Sequence, residues 1–163
     1  MKLLVIAALL PLALAVSACG RQQAGAPEGE PSAAAEPATA AQPGIALTAS
    51  PDSAAVFFIT PSDGDTVSNP VSIEFGIRAM EVVKAGVDKP DSGHHHLLID
   101  TGLPPAGLPI PADDQHVHFG DGSTSTEIAL APGQHTLRLL LGDHRHIPHD
   151  PPVASEPITI MVE

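Results

Sequence analysis

The chain has 163 residues, 19 acidic against 7 basic side chains, a formal charge of −12, 18 prolines, 14 glycines, 9 histidines, one cysteine, and neither Trp nor Tyr. The charge argues against a sequence-independent nucleic-acid binder, which needs Lys and Arg to displace counterions from phosphate. A lone cysteine excludes an intrachain disulfide, a CxxC redox pair and a cysteine-based zinc cage, and the length allows one modest domain. Histidine is the anomaly, because it outnumbers Lys and Arg together.

Residues 1–18 read as an export signal. Lys2 gives a short positive start, the apolar run from Leu3 to Val16 is too short to span a bilayer, and small residues follow at Ser17 and Ala18. Val16-Ser17-Ala18-Cys19-Gly20 resembles a bacterial lipobox. That resemblance implies cleavage before Cys19, lipidation of Cys19 and a membrane as partner, since several acyl chains anchor stably where one is marginal. The expected location is the cell envelope, lipid-anchored on the periplasmic side or in the outer membrane. An ordinary signal peptide with a stray cysteine is the alternative. Loss of Lys2 with the leader moves the formal charge from −12 to −13.

Residues 19–53 are rich in Ala, Pro, Gly, Glu and Gln and have no sustained period of 2 or 3.6. Such a segment buries too little apolar surface to offset its ordering entropy. It is expected to be a disordered linker after Cys19, with a reach of roughly 30 Å.

Residues 54–163 predict one small β domain. Apolar runs are short and bounded by turn residues. Strands are expected at 55–60, 71–78, 95–100, 115–119, 124–130, 134–141 and 157–162, with a short edge piece at 81–84. The clearest is 71–78, where Val71, Ile73, Phe75 and Ile77 alternate with Ser72, Glu74 and Arg78. The expected fold is all-β: an immunoglobulin-like antiparallel β-sandwich of 7–8 short strands, with a small open barrel as the alternative.

All nine histidines fall between residues 94 and 149, and six form His-x-His pairs: His94/His96, His116/His118 and His144/His146. In an extended segment, residues i and i+2 point to one side, so each pair can present two imidazoles to one ion, the nitrogen donors that suit copper or zinc. Simple up-and-down strand alternation brings the three pairs, with His149, to one end of the sandwich and sends His135 to the other. The candidate metal ligands are therefore His94, His96, His116, His118, His144, His146 and His149, with Asp143 and Asp150 as carboxylates that orient the rings. His95 and His135 share faces with core-like Leu and Ile and read as structural. A wholly structural hydrogen-bonded network of histidines is the competing reading.

Three segments carry a wider resemblance: Gly93-His94-His95-His96-Leu97-Leu98-Ile99-Asp100, His116-Val117-His118-Phe119-Gly120, and Leu139-Leu140-Leu141-Gly142-Asp143-His144 with Pro148-His149-Asp150-Pro151-Pro152. They resemble a bacterial family of small exported proteins classed as a domain of unknown function. The resemblance covers roughly residues 55–163 and implies an exported β domain without supplying an activity. Locally, His116-Val117-His118 before Gly120-Asp121 is similar to the copper-ligand strand of copper/zinc superoxide dismutases, but this chain lacks their disulfide cysteines and their zinc-loop arrangement.

Three functions compete: a lipid-anchored copper- or zinc-binding module, a structural or interaction module with hydrogen-bonded histidines, and a metal-dependent enzyme. No nucleophile triad, phosphate loop or paired-carboxylate signature supports the third, and no catalytic residue is assigned.

Overall fold

The computed structural model describes residues 45–163. The expected leader, Cys19 and most of the expected linker lie outside the described residues. The strands are β1 (Ala55–Thr60), β2 (Thr66–Val67), β3 (Val71–Arg78), β4 (Glu81–Val82), β5 (Ser92–Ile99), β6 (His116–His118), β7 (Ser125–Ile128), β8 (Gly133–Gly142) and β9 (Ile158–Val162). They form two sheets, β1-β3-β7 and β2-β9-β8-β5-β4, with β6 also paired to β5. The fold is a β-sandwich, as expected from the short alternating runs.

The alternation in β3 holds through Phe75 and softens at Gly76 and Ile77, both half-buried. Val71, Ile73 and Phe75 are buried and Ser72 and Glu74 exposed. These residues meet Leu97, Ile99, Leu137, Leu139, Leu141 and Ile160 from the larger sheet to form the main core. Two details differ from a purely antiparallel sandwich. β2 pairs parallel with β9, and β4 pairs parallel with β5. Both are two-residue edge strands, too short to show a period in sequence.

β5 positions the site. It is buried along its whole length, because both of its faces are covered. His95, Leu97 and Ile99 point into the main core. His94, His96 and Leu98 point out of the sandwich, where Leu98 joins Ile110 and Leu140 in a second, smaller core. The chain after β5 and the chain after β8 fold over this outer face. There Ile110 N–H donates to His146 O at 2.7 Å, and Ser155 N–H to Leu139 O at 3.0 Å.

The ordered structure also begins upstream of the expected boundary at residue 54. Ala49 forms a parallel bridge with Asp150, so residues assigned by composition to the linker are held by backbone hydrogen bonds. Composition registers the lack of large apolar side chains there but not a polar edge that is paired across the fold.

Candidate metal centre

The site starts from register. β6 and β8 both run antiparallel to β5, and His96 lies opposite His118 across the β5–β6 pair. The centroids of these two rings are 5.0 Å apart. His94 follows on the same face one pleat away, 4.9 Å from both His96 and His118. His146 comes from the turn after β8 and lies 4.8 Å from both His94 and His118. Four imidazoles from three separate chain segments thus form one cluster, with His96 and His146 its widest pair at 6.0 Å. His94 and His96 are fully buried, His146 is half-buried and His118 is exposed, so the cluster opens to solvent on one side only.

The inner geometry suits a cation. The Nε2 atoms of His94 and His96 are 3.1 Å apart. Two metal–nitrogen bonds of about 2.0–2.1 Å spanning that gap would meet at about 100°, within tetrahedral or square-planar range. A ring nitrogen from each of His94, His96 and His118 lies within 4.8 Å of the others. Two such bonds reach about 4.1 Å at most, so small rotations, available to the exposed His118 ring, complete the convergence. Without an ion, the two buried rings share one hydrogen bond, and Nδ1 of each has no partner among the described residues. Buried polar atoms normally have one.

Electrostatics keep these rings neutral. Burial, then repulsion from His146 and His118, pushes His94 down to about 4. Burial, then His94, His118 and His146, pushes His96 down to about 2. Burial and His146 lower His118 as well. At neutral pH each ring is therefore neutral and offers one lone pair; once the proton shared in the His94–His96 bond passes to an Nδ1 by tautomerisation, both Nε2 atoms face an ion with no net proton release.

Two glycines make room for the rings. A Cβ on Gly120 would land on the His118 ring, 2.7 Å from its Nε2, and a Cβ on Gly142 would lie 3.0 Å from Nε2 of His96. Sequence reasoning missed both: Gly120 lies two residues past its ring, His118, and Gly142 ends β8 whereas its ring, His96, is on β5.

The expected convergence of all seven candidates is corrected to four. His116 shares the outer face of β6 with His118, but it sits one pleat further along, opposite Leu98, and its Nδ1 pairs with Asp113 at 2.7 Å. His144 and His146 lie in a turn rather than a strand, so the i, i+2 rule does not apply. His144 turns away to Asp88 at 3.5 Å, whereas His146 adopts φ 65° and joins the cluster. His149 is buried as a structural residue, with its ring nitrogens 3.4 Å from Leu141 O and 3.2 Å from Ser92 O. The cluster also sits on the outer face of the larger sheet, beneath its covering loops.

The two aspartates hold loops rather than rings. The Asp143 carboxylate accepts from the backbone N–H of Arg145 and Ile147, the Arg145 guanidinium and the Thr48 hydroxyl. Burial would raise its pKa, but these donors hold it at about 2. Asp150 acts through its backbone, paired with Thr48 and Ser50. His95 and His135 are structural as read. His95 packs against Phe75 at 5.0 Å, and burial lowers it to about 4. His135 is bonded to Ala131 O and Asp100, which raise its pKa, and it lies at the far end of β8 from the cluster.

A family model described as Domain of unknown function (DUF4399) matches residues 73–163, a span that contains all four clustered histidines. No curated protein and no solved structure matches the chain.

Proposed function

This chain belongs to the DUF4399 family of unknown function, and from its own residues we propose that it is a metal-binding module holding one Cu(II) or Zn(II) ion through His94, His96, His118 and His146. The observation that carries this reading is the pair of buried Nε2 atoms 3.1 Å apart, with a third imidazole nitrogen from another strand within 4.8 Å. The donor chemistry narrows the ion. Four imidazoles with no thiolate suit Cu(II) and Zn(II), whereas Cu(I) prefers sulfur and Mg²⁺ or Ca²⁺ prefers oxygen. The half-open face at His118 suits an ion that is taken up and released, hence buffering, delivery or sensing.

The lipobox-like Val16-Ser17-Ala18-Cys19 supports a place in the cell envelope with the domain tethered through Cys19. The purely structural reading accounts for His135, His149 and His116, each of which has a hydrogen-bond partner. It gives no reason for the Nε2 atoms of His94 and His96 to face each other at 3.1 Å beside the His118 and His146 rings.

The test is tag-free protein exported to the envelope and purified without chelator, followed by metal analysis and melting with added copper or zinc. Binding stabilises the folded state by about 3 kcal/mol at a hundred-fold excess over Kd, a rise of several degrees in Tm. Absence of copper and zinc, together with an unchanged Tm on adding either, refutes the reading.

A further inference from the structure

The segment preceding β1 grips the loop that carries His146 at several points, although about a hundred residues separate them in the chain. Arg145 Nη2 donates to Ala46 O at 2.9 Å, and Thr48 Oγ1 donates to Asp143 Oδ2 at 2.8 Å. Ser50 N–H donates to Asp150 O at 3.2 Å, while Asp150 N–H returns a bond to Thr48 O at 2.9 Å. Ser50 Oγ adds a bond to Pro151 O at 2.8 Å. These contacts are polar and mostly lie along one backbone edge, so they add little to either apolar core.

Two of these five bonds reach the turn that holds the fourth imidazole, through Asp143 and Arg145, and three tie down Asp150 and Pro151 just after it. Asp143 N–H donates to Ile147 O, and His146 N–H donates to Asp143 O, both at 2.9 Å. The Asp143 carboxylate closes the same turn by accepting from the N–H groups of Arg145 and Ile147 at 2.8 and 3.0 Å. Inside that turn His146 is held at φ 65°, a left-handed conformation that residues with a Cβ seldom adopt unaided. Such a conformation persists where surrounding bonds over-determine it. Asp143 is the hub of those bonds, and among the described residues Thr48 is its one side-chain donor from outside the loop.

We propose that residues 46–50 form a strap that positions His146 as the fourth nitrogen of the metal centre, with Thr48 acting through Asp143. The proposal rests on the metal-binding reading above. It makes Thr48 a positioning residue: it touches no ring of the cluster, and its loss releases the loop rather than removing a ligand. The strap, like β1 and β2, lies upstream of the span that the family model matches, which starts at residue 73.

The test uses the full chain with Thr48→Val, which keeps shape but deletes the donor, and Thr48→Ser, which restores it. Thr48→Ala deletes the donor without a second methyl beside the carboxylate and guards against a folding defect particular to valine. Two readouts are taken: the nitrogen hyperfine pattern of added Cu(II), and hydrogen exchange at the Arg145 and Ile147 amides with Leu97 as control. Wild type and Thr48→Ser are expected to give a four-nitrogen pattern. Thr48→Val and Thr48→Ala are expected to give a three-nitrogen pattern, copper binding about 10-fold weaker, and faster exchange at Arg145 and Ile147 but not at Leu97. A four-nitrogen pattern with wild-type exchange in both donor-free variants overturns the strap. If wild type takes up neither copper nor zinc, the metal reading fails, and the exchange data alone decide the strap: unchanged protection overturns it, and selective loss at the two amides upholds its hold on the loop.

Discussion

Acidification of the ion-free protein should cost much of its stability between pH 7 and pH 5. His94, His95 and His96 are all fully or nearly fully buried, with pKa values lowered from 6.5 to about 4, about 4 and about 2. For a folded-state pKa depressed below its unfolded value, the unfolded chain binds the extra proton. Stability is therefore retained above 6.5 and lost as pH falls from there toward the folded pKa. At pH 5 an unfolded histidine is almost fully protonated and these three are not, a loss of about 2 kcal/mol each and about 6 kcal/mol together. That is comparable with the whole stability of a small domain. His135 opposes the loss, because its pKa is raised and its contribution is greatest below 6.5, but it is one group against three. Asp143, held at about 2, loses its contribution only below the ordinary carboxylate range. Urea unfolding in the presence of chelator should show a midpoint lower by on the order of 3 M at pH 5 than at pH 7. His95→Leu removes one of the three protons and should reduce the loss by about a third. An equal midpoint at both pH values, or an unchanged loss in His95→Leu, would refute the reasoning.

Substitutions separate ring placement from fold. Gly120→Ala puts a methyl on the His118 ring and should weaken zinc or copper binding by about 10- to 100-fold in a competition titration, with circular dichroism unchanged. His146→Gly removes a ligand but suits the left-handed backbone at φ 65°. Urea unfolding should show unchanged or higher ion-free stability, by up to about 1 kcal/mol, while the same titration shows weaker binding. His116→Ala and His144→Ala alter rings outside the cluster and should leave metal affinity within about two-fold by calorimetry.

The sandwich was legible because its central strands alternate. β3 buries every second residue, and the period is visible in Val71, Ile73 and Phe75. β2, β4 and β6 have two or three residues each, too few for a period, so their pairing and the two parallel edges depend on the assembled fold. The site was legible to the same extent. His94/His96 and the outward turn of His118 follow from strand geometry, and the antiparallel register of β5 and β6 brings them together. The failures share one cause: spacing rules hold only within extended backbone. His144 and His146 sit in a turn, where one dihedral near φ 65° decides which ring reaches the cluster. His116 sits on the correct face but one pleat too far, a distance set by register. Thr48 carries no local signal, because its partner Asp143 is 95 residues away.

The most direct measurement is a calorimetric titration of Cu(II) and Zn(II) into metal-stripped full-length protein, repeated with a His94→Asn/His96→Asn double variant and a His135→Asn control. One ion per chain is expected for wild type and for His135→Asn, and no saturable binding for the double variant, its circular dichroism spectrum preserved. Saturable binding of equal affinity in the double variant, or none in wild type, would contradict the metal-binding reading.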